Sequence, residues 1–223
     1  MSRTIKSNRS SSTRTGSPVP GELVHATRTA DLVDVPKRRC LAIDGAGAPS
    51  DARFTDAIRA LYGAAYTLKF ARKRPAKVEL KKSDFKIGPL EGHWAAELPP
   101  GSAGRPGVDT WRWRLRLGVP SDVTKDELDR IKKQVVSKKG GKLEGSPAVG
   151  HVFLEAVPAQ RLGRILHIGP YDDEPASFDL IAKAIDRAQL TAAPTHIEVY
   201  LNDPSRTKPA ALKTVLLREL ATS

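Results

Sequence analysis

Apolar and polar residues alternate strictly from 111 to 117. Trp111, Trp113, Leu115 and Leu117 share one side, and Arg112, Arg114 and Arg116 share the other. Period two predicts a strand. The same rhythm returns in THIEVYLND, where Ile197, Val199 and Leu201 alternate with His196, Glu198, Tyr200 and Asn202. RRCLAIDGAG, residues 38–47, is a short apolar run closed by glycines and predicts a buried strand and a turn. Helical spacing appears in FTDAIRALYGAAYTLKFARKR. Ile58, Leu61, Ala65 and Leu68 make one stripe, and Tyr62, Tyr66 and Phe70 make a second beside it, with Pro75 as the stop. TKDELDRIKKQVVSKKGG, 124–141, predicts another helix, with Thr124 and Glu127 spaced as a capping box.

The second half repeats the first in outline. CLAIDGAG matches ILHIGPY, and each leads into a helix, then an extended segment with a glutamate and an aromatic, then a last strand. HVFLEAVPAQRLGRILHIG predicts two strands joined by a short turn, and LKTVLLREL a closing strand. Such duplication predicts an α+β fold of two tandem βαββ units with pseudo-twofold symmetry: antiparallel sheets, helices on one face, and a ligand groove between the units. The boundaries expected are a basic disordered tail over 1–30 and one folded domain over 31–223. The latter divides into a first unit (31–120), a linking helix (121–150) and a second unit (151–223).

Composition narrows the function classes. The 223 residues are 39% hydrophobic, enough for a sizeable core, and no apolar run reaches the length of a membrane span. A single cysteine, Cys40, rules out an internal disulfide framework, and no apolar stretch follows the basic N-terminus, so cytoplasm is the default compartment and no membrane partner is expected. The formal net charge of +12 raises nucleic acid as a partner. Much of that charge falls in the Ser/Thr-rich first twenty residues, in ARKRPAK (71–77), and in lysines at 132–133 and 138–139 at a helix end, so nucleic acid is the lesser reading. Five histidines without HxxxH or CxxC spacing supply no metal ligand set. GAGAPS lacks the lysine and spacing of a phosphate loop, and no GxSxG elbow is present, so no cofactor is expected. Oligomeric state is not legible.

The candidate chemistry sits on the second alternating strand. If Ile197, Val199 and Leu201 face the helices, Glu198 and Tyr200 share the opposite surface; an ordinary solvent face gives the same pattern. Trp94, Trp111 and Trp113 all fall in the extended segments of the first unit. Each fits a core as well as the wall of a cage for a planar ligand. If they line the groove, the arginines of that strand turn toward the helices. Glu91, in PLEGHW, is a further ligand-binding candidate beside the tryptophans. His167 and Tyr171, in HIGPYDDEP, sit at a strand-to-turn junction where a structural histidine competes with a proton-transfer role.

The ordered set AIDGAG, FTDAIRALYGAAYTLKF, PLEGHW, WRWRLRL, HIGPY and HIEVYLNDPSR with PAALKTVLL resembles the GyrI-like small-molecule-binding family from about residue 33 to 218. The resemblance is to stand-alone members, which include cyclopropanoid cyclopropyl hydrolases. These open the strained ring of DNA-alkylating natural products of the yatakemycin class within an aromatic cage. It implies a groove between the units and a pocket glutamate at Glu198. The cage positions it implies are Trp94, Trp111, Trp113, Tyr171 and Tyr200, with Tyr66 beside them. The roles that follow are catalytic for Glu198, Tyr200 and His167, with a raised pKa for the groove carboxylate, and ligand binding for the cage residues and Glu91. A non-catalytic protein that binds or sequesters cationic drugs is the alternative. Many relatives carry a second tryptophan where this chain has Ala95, which predicts a thinner wall.

Overall fold

A computed structural model describes residues 18–73, 84–96 and 111–221. The Gly/Pro-rich loop at 99–107, the first seventeen residues, and the basic run beyond Lys73 lie outside the described residues.

Eight antiparallel strands form one continuous sheet: β1 (Asp31–Val35), β2 (Arg38–Ala46), β3 (Leu90–Ala96), β4 (Trp111–Val119), β5 (Phe153–Val157), β6 (Gln160–Ile168), β7 (Ala192–Tyr200) and β8 (Lys213–Leu220). Their order across the sheet is β1-β6-β8-β7-β3-β4-β2-β5. The two expected units are β2-α1-β3-β4 and β6-α4-β7-β8, with α1 over Ala52–Lys73 and α4 over Glu174–Arg187. They join edge to edge through β3 and β7, where Gly92 pairs with Glu198. A sheet shared across the seam replaces the two separate sheets of the sequence reading.

The outermost strands are exchanged. β1 precedes the first unit yet pairs with β6 of the second, and β5 precedes the second unit yet pairs with β2 of the first. The two strands expected from HVFLEAVPAQRLGRILHIG therefore form but do not pair with each other.

Both long helices lie on one face. α1 rests mainly on β2 and β4, and α4 on β6 and β8. α1 buries Phe54, Ala57, Leu61, Ala65 and Leu68 against Leu41, Ile43, Leu115 and Leu117. α4 buries Ile181 and Ile185 against Ile165 and Leu216. α2 (Lys125–Ser137) and the short α3 (Pro147–Gly150) pack on the flank of α1. Thr124 caps α2 by accepting from the Glu127 backbone N–H at 3.2 Å, and the Glu127 carboxylate takes the Arg72 guanidinium at 2.8 and 2.9 Å, tying α2 to the end of α1.

The opposite face is covered at its centre by residues 18–30. Val19 and Leu23 bury onto Ile197, Val199, Val215 and Leu217. The boundary at residue 30 therefore lies too late: this stretch looks tail-like because it carries only two or three apolar anchors, yet Leu23 is fully buried. It also reverses the expected facing of β7. Ile197 and Val199 point away from the helices, and Glu198 and Tyr200 share the helix side with Leu216 and Thr214, their partners on β8.

The arginines of β4 also lie on the face away from the helices. Arg114 pairs with Asp44 at 2.6 Å and Glu155 at 2.8 Å, and Arg116 with Glu155 at 2.7 Å. The tryptophans of that strand can thus face helix and groove at once, and no arginine passes the helix layer. Among the described residues no helix is long and apolar enough to cross a membrane.

Candidate functional site

Because each helix covers only the outer strands of its own unit, the central strands β3 and β7 floor a groove between α1 and α4. Its volume is about 1200 Å³, ample for a drug-sized molecule. Phe54, Ile58 and Tyr62, one helical turn apart, form the α1 wall. Trp94, Trp111 and Tyr200 lie on the sheet side, and Tyr171 and Glu174 at the start of α4 close the other side.

The aromatic walls support one another. Phe54 stacks on Trp94 with ring centroids 5.6 Å apart, Trp94 meets Trp111 edge-on at 5.5 Å, and Tyr171 meets Tyr200 edge-on at 6.1 Å. The Trp94 indole donates to the Tyr200 hydroxyl at 3.3 Å across the seam. That approach depends on Gly92: a Cβ there would stand 2.8 Å from Trp94 Nε1 and 3.0 Å from the Tyr200 oxygen. Gly92→Ala is therefore expected to break the Trp94–Tyr200 bond, shift the tryptophan emission and weaken ligand binding about tenfold, as two side chains leave position. Unaltered emission and affinity would remove the argument.

Glu198 stands at the centre. The Tyr200 hydroxyl donates to one of its oxygens at 2.7 Å, and His196 Nε2 lies 3.0 Å from the other. His196 is held in turn by Phe178 of α4, ring centroids 4.9 Å apart. The Tyr200 hydroxyl is pushed well above the ordinary tyrosine range by burial, by the charge of Glu198 and by the hydrogen bond it gives. It is a fixed donor to Glu198 rather than a source of protons. Tyr171 is raised more modestly, by burial and then by Glu198 and Glu174.

The raised carboxyl of the groove is Glu174, which the sequence reading passed over. Burial, then the nearby charge of Glu198, push it up to about 9. At neutral pH the groove thus holds a carboxylic acid and a second carboxyl whose oxygens are fixed by hydrogen bonds. The folded protein keeps the Glu174 proton and the unfolded chain releases it. Its contribution to stability is therefore full below pH 4.5 and is lost as pH rises toward about 9. Glu174→Gln should flatten that part of the stability profile. A melting temperature that falls as steeply in the variant as in the parent over this range would contradict the assignment.

The other sequence candidates lie elsewhere. Trp113 is buried under Phe54, 5.1 Å between centroids, and over Gly45, where its six-membered ring takes the space of a Cβ; it does not line the groove. Glu91 faces away from the helices, is 0% exposed and pairs with Arg38 at 2.7 Å. His167 donates from Nε2 to the Pro170 carbonyl at 3.1 Å, and Nδ1 lies 3.0 Å from the Ser177 hydroxyl, so both ring nitrogens pin the turn that carries Tyr171. Tyr66 stacks on Tyr62 outside the cavity. Ala95 pairs with Arg112 on the face away from the groove, so the small residue there does not thin its wall. Among the described residues no cluster of three or more His, Cys, Asp or Glu side chains could hold a metal ion.

This fold is shared with proteins of known structure. An uncharacterized conserved protein from Listeria innocua is 26% identical, with a TM-score of 0.77, over 88% of this chain and 94% of its own. A hydrolase from Listeria innocua is 25% identical, with a TM-score of 0.75, over 89% of this chain and 94% of its own. The C-terminal domain of EcmrR shares the fold at 11% identity and a TM-score of 0.51, over 87% of this chain and 98% of its own. No family model matches the sequence. No curated protein matches it.

Proposed function

We propose that the groove binds a flat, largely apolar small molecule and hydrolyses the strained ring of cyclopropanoid DNA-alkylating natural products, disarming them. The reading rests on one observation above all: two carboxyls, Glu174, raised by its burial, and the hydrogen-bonded Glu198, share an aromatic-lined groove. The GyrI-like motifs, and the likeness to a Listeria hydrolase over nearly the whole chain, support it.

Such a substrate carries a cyclopropane fused to a dienone. Stacking between Phe54 and Tyr62 on one side and Trp111 and Tyr171 on the other would hold it, each ring contact contributing about 0.5–1.5 kcal/mol beyond burial. Water attacks the ring methylene and its oxygen bonds to that carbon. The strained carbon–carbon bond breaks, and its electron pair flows into the dienone to give a phenol oxygen. Glu198 takes the water proton, and Glu174 gives its proton to the developing oxygen. One molecule of water is added, and transfer of a proton from Glu198 to Glu174 resets the pair. Tyr200 and His196 orient Glu198, and His167 positions the Tyr171 turn.

Incubating the purified protein with a cyclopropane-bearing alkylator and following it by mass spectrometry tests the reaction. The expected product is the substrate plus one water, formed faster than in buffer alone. Intact substrate at the buffer rate would reject catalysis. Two carboxyls among aromatic rings also suit a flat delocalised cation, and a protein that only binds would then release the Glu174 proton on taking one up. Calorimetry in buffers of different ionisation enthalpy reads that release.

A further inference from the structure

Along α1, Tyr62, Tyr66 and Phe70 stack in file, with 6.3 Å between successive ring centroids and interplanar angles of 28° and 25°. Over the eight residue steps from Tyr62 to Phe70 the file runs roughly 12 Å along the helix. Tyr62 lines the groove, whereas Tyr66 is 48% and Phe70 54% exposed. Large aromatic surfaces left in water at helical spacing cost solubility and are absent from the rest of α1, whose other apolar residues, apart from the alanines Ala52 and Ala71 near its ends, are buried or half-buried. Lys69, between Tyr66 and Phe70 in the chain, is drawn aside by Asp84 at 2.8 Å and by the Phe85 carbonyl, so it does not cap the rings. Lys86 and Ile87, farther along that segment, line the groove again.

We propose that Tyr66 and Phe70 form an outer subsite, so that the preferred ligand carries two linked flat units, one in the groove and one lying on this aromatic rail. The proposal rests on the small-molecule reading of the groove. Its particular support is continuity: Tyr62 belongs to both surfaces, and a rigid ligand leaving the groove past it meets Tyr66 next. Ring-on-ring contact changes affinity by roughly two- to twelvefold per pair.

Two inert probes separate the subsites: 2-naphthamide, with one bicycle, and N-(2-naphthyl)-2-naphthamide, with two joined by an amide. The parent protein should bind the two-unit probe at least about tenfold more tightly. Tyr66→Ala with Phe70→Ala should erase that gain, leaving one-unit binding unchanged. Trp111→Ala, on the groove side, should weaken both probes. Equal affinities in the parent, or a double variant that keeps the gain, overturn the rail while the groove reading stands. If neither probe binds the parent and Trp111→Ala changes nothing, the groove reading itself fails. A parent dimer that dissociates in the double variant, seen by sedimentation, also overturns the proposal, because the rail is then a contact between copies.

Discussion

Glu198→Gln is expected to cut turnover of a cyclopropane-bearing alkylator by about 10²- to 10⁴-fold, the range for loss of a positioned general base, with ligand affinity nearly unchanged. The side chain keeps its length, and its surroundings can adapt. The amide oxygen can still accept from the Tyr200 hydroxyl, while His196, at 3.0 Å from the other position, can shift its proton to the far ring nitrogen and accept from the new N–H. The aromatic walls do not move. The substitution also removes the negative neighbour that helps hold Glu174 protonated, so the Glu174 pKa should fall from about 9 in the variant. Stopped-assay rates, paired with a binding isotherm, measure both parts. Turnover equal to the parent's would take Glu198 out of the chemistry, and lost affinity with intact turnover would make it a binding group.

The second large effect falls on stability. Glu91 and the Arg38 side chain are both sealed from solvent on the face away from the groove, 2.7 Å apart, with Cys40 beside them pushed up to about 12 by burial and then by the Glu91 charge. Glu91→Ala leaves the guanidinium buried without its counter-ion, which costs about 3–5 kcal/mol. For a chain of this size that is on the order of 10 °C in melting temperature. Replacing both partners by leucine should recover most of the loss, because two apolar residues leave no orphaned charge. Ligand affinity in whatever fraction stays folded should match the parent. A melting temperature within about 2 °C of the parent's would show that the pair carries no such burden.

These outcomes mark where the sequence is informative. Period two along 111–117 and through THIEVYLND, 195–203, places β4 and most of β7, and Thr124 with its acidic first turn places α2, because those signals are local. Alternation divides a strand into two faces but does not say which meets the helices. On β7 one face is covered by residues 18–30, whose few apolar anchors look like a tail, and the other floors the groove on the helix side. Trp111 and Trp113 share a side, yet only the second is roofed by Phe54, and that depends on where the first turn of α1 crosses β4. Phe54, Ile58 and Tyr62 sit four apart, so helical spacing alone marks the groove wall, but Tyr62 is equally in register with the more conspicuous aromatics Tyr66 and Phe70. Glu174 reads as an ordinary acid at a helix start. Its distinction arises only when the seam brings Glu198, more than twenty residues away, close enough to raise it.

The exchange of outer strands bears on how the chain folds. β1 must wait for β6, more than a hundred residues on, before its edge is satisfied, and β5 returns to β2 across a similar span. The first half cannot complete its hydrogen bonding during synthesis until β5 and β6 of the second have emerged. Long-range pairing of this kind slows folding and couples the halves into one cooperative transition. A polypeptide cut between them should remain unfolded until its complement is supplied, and a molecule that grips the seam should then raise the melting of the whole chain rather than of one half.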